Sequence, residues 1–235
     1  MLEFNLKKKQ ARKELYYKKN NFVTELGIKL INKKTDLILH KPHSSILFDE
    51  RLKVKNSSNN DFIINDIDLI FEKEKKVDAL ICNFDLQIPL VKYSQNLFKN
   101  INKILNKNGY FCFNLLTLNS FITLKKIFLE IDDHVFNGAQ LRFGPFHDVS
   151  NIITDLNYNK FKEVVVSTES LEVNYNSLKK MRKDFKEFGI SNYYKDKLTF
   201  NKEFYKKCNR VFEQIINKNS YFPLELEIAT FTSWK

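Results

Sequence analysis

Apolar positions between residues 77 and 116 change from a strand pattern to a helical pattern and back. Val77–Asn83 is an almost continuous apolar run of strand length, and Tyr110–Leu116 is a second one. Between them, one face of a helical repeat carries apolar side chains, at Leu97, Phe98, Ile101, Ile104 and Leu105. This order predicts strand, amphipathic helix, turn and strand, a βαβ crossover that implies a parallel sheet.

The ends of these two strands indicate where a ligand would bind. In parallel α/β sheets, ligands occupy the crevice beyond the carboxyl ends of the strands. We therefore expect Asn83–Asp85 and Asn114 to lie near any site that the fold has.

The chain before this unit predicts a helix and several short strands. Residues 6–31 have a helical apolar pattern. Three short apolar runs follow and are interpreted as strands: Asp36–Leu39, which ends at His40, then Ser45–Phe48 and Asp61–Ile64. Little chain remains for helices between them.

The chain after the unit predicts further helices and an antiparallel hairpin. A helix from Asn119 to Glu130 is expected, capped by Asn119. The later elements are strands Phe161–Ser167 and Leu171–Tyr175 joined by a tight turn, a helix over Leu178–Phe188 ended by Gly189, a helix carrying Phe204 to Ile215, and a closing strand at Leu224–Trp234.

Composition indicates one globular, cytoplasmic domain. The chain has 235 residues, 43% of them hydrophobic, enough for a single α/β core. No apolar run approaches the roughly 20 residues that cross a bilayer. Cys82, Cys112 and Cys208 have no metal-like spacing, and the first two lie in apolar runs where buried thiols are common. We expect a reducing compartment and no metal.

The formal net charge of +11 raises the question of an anionic partner. Lysine and asparagine are abundant along the whole chain, which favours a solvated surface over one selected patch and argues against nucleic acid as a partner. The densest basic cluster, Lys7–Lys19, leaves peripheral contact with an anionic membrane or RNA as an alternative.

Several segments resemble a known family. Asp78–Asn83 followed by Leu105–Phe111 is similar to the fourth and fifth strands of class I S-adenosylmethionine-dependent methyltransferases. Later segments narrow the resemblance to the subgroup that contains the malonyl-carrier-protein methyltransferase of biotin synthesis and the methyltransferase-like assembly factor of respiratory complex I. They are Phe143–Phe146, Leu156–Phe161, Leu171–Tyr175, Met181–Asn192 and Ser233–Lys235.

The resemblance implies a Rossmann-like methyltransferase fold: a mostly parallel sheet with an antiparallel C-terminal hairpin and helices on both faces. Residues 1–235 would form one domain, with an N-terminal helical segment (1–33), a cofactor-side half (34–135) and a C-terminal half (136–235). In the family a glycine-rich loop follows the first strand. Here His40–Ser44 would take that place, and it contains no glycine.

The resemblance also implies a set of cofactor-binding residues. His40 would lie in the degenerate loop, Asp66 would accept from the adenine amino group, Ile67 would pack on the ring, and Asn83 would face the transferred methyl group. From the residues alone, Asp66 serves equally well as a turn cap, and Asn83 as a partner for loop amides. His147 and Asp148 are a weaker acid–base candidate, because Asp148 suits a helix cap.

Two functions follow from this comparison, and a third, an RNA-binding or RNA-modifying protein, rests only on the charge. The first is an S-adenosylmethionine-dependent methyltransferase whose acceptor is a carrier-bound small acid or a protein side chain; no residue is assigned as catalytic. The second is a non-catalytic binding or assembly factor that has lost the cofactor. The missing glycine loop favours the second.

Overall fold

The computed structural model describes residues 4, 21–50, 55–56, 61–72, 75–93, 95–189, 194 and 201–235. Within them the strands are β1 (Ser45–Phe48), β2 (Lys55–Asn56), β3 (Asp61–Ile64), β4 (Val77–Asn83), β5 (Leu105–Leu116), β6 (Lys162–Tyr175) and β7 (Phe222–Trp234). The helices are α1 (Phe22–Thr35), α2 (Ile67–Phe71), α3 (Gln87–Tyr93), α4 (Gln95–Ile104), α5 (Ile122–Phe136), α6 (Val149–Tyr158), α7 (Leu178–Phe188) and α8 (Lys202–Asn219).

The described strands form one mixed sheet in the order β2-β3-β1-β4-β5-β7-β6. Strands β3, β1, β4 and β5 run parallel, whereas β7 lies antiparallel between β5 and β6. The predicted fold class is confirmed. Because the chain goes from β1 to β3 on one side and then returns to β4 on the other, the topological switch point lies between β1 and β4.

Helices cover both faces of the sheet. On one face, α2, α4 and α6 bury side chains such as Ile70, Phe98 and Leu156 against β4 and β5. On the other face, α1 packs through Ile31 on β4 and β5, and α5, α7 and α8 cover the β7 side. The predicted βαβ unit is confirmed as β4, α4 and β5.

The first strand is not where the sequence predicted it. Residues 36–44 form no strand, and Leu37 and Leu39 are 74% and 92% exposed. The first strand is β1, which pairs in parallel with both β3 and β4. A run of three apolar residues does not define a strand without a neighbour to pair with, and of these two segments only 45–48 has such neighbours.

The C-terminal half departs from prediction in two places. One continuous strand, β6, replaces the two short strands and their turn, since its polar residues alternate toward solvent. Helix α5 begins at Ile122, and its N-cap, Phe121, makes no side-chain capping bond. Glu225 on β7 caps it instead, accepting from the backbone N–H of Thr123 at 3.3 Å. The predicted helix over 178–188 is confirmed, with Gly189 at φ 87° as its C-cap.

Only the second half of the predicted helix over residues 6–31 can be compared with the structure. Its second half is α1, which starts at Phe22 and is capped by Asn21, whose side chain accepts from the backbone N–H of Val23. Residues 6–20 lie outside the described residues.

Candidate functional site

Two buried carboxylates flank the switch point. Asp49 directly follows β1, Asp85 lies two residues past the end of β4, and each is only 7% exposed. The loops that carry them are joined, because the backbone N–H of Glu50 donates to Asp85 Oδ2 at 3.2 Å. The backbone N–H of Asp49 donates to the carbonyl of Ile64 at 3.0 Å, which ties the end of β1 to the end of β3.

The electrostatics of this crevice are acidic. Burial, and after it the charge of Asp85, raises the pKa of the Cys82 thiol, with smaller contributions in the same direction from Asp49 and Glu50. Three carboxylates are therefore close enough to act on one thiol at the end of β4. Burial and these nearby carboxylates keep Cys82 protonated and unreactive.

Asn83 and Asn114 lie beside this crevice but serve helix α1. The amide of Asn83 donates to the carbonyl of Thr24 at 3.0 Å, and the amide of Asn114 donates to the carbonyl of Gly27 at 2.7 Å. The two side chains are also joined to each other at 3.0 Å. Both are buried, at 4% and 0% exposure. The sequence left two roles for Asn83, facing the cofactor's methyl group or binding loop amides. Its contacts are of the second kind, since it binds a backbone group, but that group is a helix carbonyl and not a loop amide.

Asp66 and Ile67 begin helix α2. Asp66 is exposed, and its side chain accepts from the backbone N–H of Asp68 at 3.0 Å, which is an N-cap bond. Ile67 is 7% exposed and packs within the hydrophobic core. The cap therefore accounts for Asp66, and packing in the core accounts for Ile67.

His40 lies at the opposite edge of the sheet. It precedes β1, so the His40–Ser44 segment approaches the amino ends of the strands, and this placement corrects the prediction that it forms the loop after the first strand. The backbone N–H groups of His43 and Ser44 donate to Asp78 Oδ2 at 2.9 and 3.1 Å. The pKa of Asp78 is lowered, mainly by a hydrogen bond from the Asn106 side chain and also by these two backbone bonds. Burial acts in the opposite direction but does not cancel them.

A second polar group lies beyond the carboxyl end of β5. His147 Nε2 donates to the carbonyl of Gln87 at 2.7 Å, and burial lowers the pKa of this histidine. Lys125 Nζ donates to the carbonyl of Leu118 at 2.8 Å and lies 4.1 Å from the ring centre of Phe146. Burial lowers the pKa of Lys125 to about 8. Asp148 caps α6 and does not pair with His147.

Asp49 is the site residue that sequence reasoning missed. The available signal is the acidic residue directly after the apolar run Ser45–Phe48, but the apolar pattern predicts the first strand at Asp36–Leu39. Among the residues described, no group of three or more His, Cys, Asp or Glu side chains is arranged to hold a metal ion. In the same part of the chain, no helix is both long and apolar enough to cross a bilayer.

No family model matches the chain, and neither does any curated protein. Solved structures do. YcgJ from Bacillus subtilis is 8% identical over 90% of this chain and 98% of its own, with a TM-score of 0.50. Phosphoethanolamine N-methyltransferase 2 from Haemonchus contortus, solved with S-adenosylhomocysteine, is 10% identical over 96% of this chain, with a TM-score of 0.46. An S-adenosylmethionine-dependent methyltransferase from Archaeoglobus fulgidus is 12% identical over 74% of this chain and 67% of its own, with a TM-score of 0.35.

The chain spans 57% of the length of the Haemonchus enzyme. At these identities the likeness concerns the fold. The sheet order, the antiparallel β7 and the match to YcgJ together define a Rossmann-like fold with an antiparallel C-terminal hairpin, the fold class that the resemblance implied.

Proposed function

We propose that the protein is an S-adenosylmethionine-dependent methyltransferase whose cofactor binds at the crevice between β1 and β4. The observation that carries the proposal is the pair of buried carboxylates, Asp49 and Asp85, at the switch point of the sheet. This is the position at which open α/β sheets bind ligands. The sulfonium and ammonium groups of the cofactor are cations, which buried carboxylates attract strongly.

Within this proposal the residues have limited and definite roles. Asp49 and Asp85 would hold the cationic end of the cofactor, which supplies the methyl group. Asn83 and Asn114 would keep the strand ends in place through α1. Methyl transfer is an in-line displacement, so positioning dominates, and an acceptor that is already ionised needs no general base. From the resemblance, the acceptor would be a carrier-bound small acid or a protein side chain.

Calorimetric titration of the full chain with S-adenosylmethionine tests the proposal. Titration to about 1 mM cofactor detects binding free energies stronger than about −4 kcal/mol. Asp49→Asn and Asp85→Asn remove the charge but keep a hydrogen-bond acceptor, so each should weaken binding by about tenfold or more.

Asp66→Asn is the matched control. Asparagine caps a helix as well as aspartate does, so α2 should be unchanged and cofactor affinity should equal that of the wild type. If Asp66→Asn alone weakened binding, the cofactor would lie along α2 as the resemblance implied, and the switch-point assignment would be wrong.

A second candidate is a non-catalytic binding or assembly factor. Two features favour it: the chain from residue 28 to residue 108 contains no glycine, and the Glu50 amide, which a ligand carboxylate could use, is already bonded to Asp85. Absence of heat with the wild type at about 1 mM cofactor would select this candidate over the enzyme.

A further inference from the structure

Helix α7 presents a dense row of cations to solvent. Its buried side chains, Leu178, Met181 and Phe185, lie on one face. Lys179, Lys183 and Lys186 are exposed on the other face, together with Arg182. Because residues three and four apart are neighbours on a helix, these four cations form one row, about 10 Å long at 1.5 Å per residue.

The row borders a groove with a cavity volume of about 440 Å³. The groove is lined by Ser177, Lys179, Lys180, Arg182, Lys183 and Lys186. Among the described residues, Lys183 alone of these cations has a carboxylate within 4.0 Å, that of Glu187. Arg182 is held in place by the ring of Tyr205, 4.9 Å from its guanidinium carbon. The groove is therefore lined almost entirely by positively charged side chains.

We propose that this face of α7 docks an acidic segment of a partner protein. The four cations lie at positions i, i+3, i+4 and i+7 of α7. Glutamates or aspartates at the same spacing line one face of a helix, so about two turns of an acidic helix would match the row. The proposal requires only α7, so it holds whether or not the β1–β4 crevice binds a cofactor.

Carboxylates beside the row favour an acidic protein segment over a broad polyanion. The neighbouring helix α8 carries five lysines and arginines but also two glutamates, of which Glu203 pairs with Lys207 at 3.2 Å. On α7 itself, Asp184 is tied to the hydroxyl of Tyr175 at 2.9 Å, next to the row. A nucleic-acid strand or a charged bilayer would extend over these carboxylates, whereas a single helix or loop would contact the row alone.

Fluorescence anisotropy with two labelled peptides tests the docking surface. One peptide is a helix of about 18 residues with glutamates on one face, long enough to cover the row, and the other has glutamine at the same positions. The wild-type protein should bind the glutamate peptide at least about tenfold more tightly, and this preference should fall as salt is raised.

Two triple variants locate the binding. Lys179→Gln/Lys183→Gln/Lys186→Gln should weaken glutamate-peptide binding about tenfold, the sum expected of three exposed charge pairs. Lys99→Gln/Lys107→Gln/Lys126→Gln removes the same charge from exposed positions on other elements and should change binding less than about twofold.

Three outcomes would overturn the proposal. They are equal binding of the two peptides, equal effects of the two triple variants, and a row-dependent affinity for single-stranded RNA or phosphatidylserine vesicles that exceeds the affinity for the glutamate peptide. A steep salt dependence of RNA binding would identify phosphate as the ligand in that last case.

Discussion

Replacement of Gly27 by alanine should destabilise the protein by about 3 kcal/mol, although alanine is the better helix former. A Cβ atom at residue 27 would lie inside van der Waals contact with Asn83 Oδ1 and Phe84 Cε2, and 2.9 Å from Asn114 Nδ2. These atoms are on the buried sheet surface beneath α1, so α1 or the side chains must move.

The magnitude is the sum of three effects. Overpacking a buried contact costs about 1–3 kcal/mol. Displacing Asn114 breaks its 2.7 Å bond to the Gly27 carbonyl, and a buried amide without its partner costs about 1–3 kcal/mol more. The higher helix propensity of alanine returns about 1 kcal/mol. The net loss of about 3 kcal/mol lowers Tm by about 6–12 °C in a chain of this size.

Urea unfolding followed by the fluorescence of Trp234, the single tryptophan, measures this loss. Gly138→Ala is the control, because no atom lies within 4 Å of a Cβ at that position. It should change the free energy of unfolding by no more than about 1 kcal/mol, and in the stabilising direction. If the two variants were equally stable, α1 would not be seated on Asn83 and Asn114, and the assignment of these amides to the helix would be refuted.

Four further measurements test other parts of the structure. Arg142→Met leaves Asp132, 1% exposed, without its bidentate partner and should cost about 3–5 kcal/mol in urea unfolding, most of which Arg142→Met/Asp132→Leu should restore. Gly189→Ala should cost about 1 kcal/mol in the same assay, because alanine is strained at φ 87°; no loss would mean that α7 ends differently. Competitive acetylation of Lys125 should be half-maximal near pH 8, and a midpoint near the ordinary lysine value would show that it is not desolvated. Because the unfolded chain keeps this proton up to about pH 10.5 while the folded chain loses it near 8, the wild type should gain stability relative to Lys125→Met as pH rises between these values.

The sequence was sufficient for elements with a strong apolar period. The predicted bounds of strand β4, helix α4 and helix α7 lie close to the observed ones, because a continuous apolar run or a helical period marks each of them. Strand β5 is also predicted, but it begins at Leu105, five residues before the predicted Tyr110. The edge strand β6 was not, since one of its faces is solvated and its polar residues 167–170 read as a turn. The extent of β6 and the position of β1 both depend on the strands with which they pair. The local sequence pattern does not contain that information.

Long-range polar contacts were beyond the sequence for a different reason. Arg142 and Asp132 are ten residues apart and meet only because the chain turns back after α5, where the guanidinium also lies 3.7 Å from the ring centre of Phe204. Nothing in the local pattern distinguishes this buried pair from the many exposed charges of a chain with 39 lysines and arginines. Burial is a property of the packed helices, and it appears only after they are assembled.

The polar residues at the carboxyl edge of the sheet fall into two groups, those within the strands and those in the loops that follow them. Asn83 and Asn114 lie within strands, side by side in the β4–β5 register, so their side chains project from the sheet face that α1 covers, and they bind its carbonyls. Asp49 and Asp85 lie past the strand ends, in loops that are free of the pleat, and their carboxylates gather at the switch point. Asp85 is only two residues further along the chain than Asn83, and this short step past the end of β4 divides a structural amide from a candidate ligand-binding carboxylate. For this reason Gly27→Ala should act on stability, whereas Asp49→Asn and Asp85→Asn should act mainly on cofactor affinity. If all three variants lost stability and affinity together, the edge would be one structural cluster, and the methyltransferase proposal would lose its site.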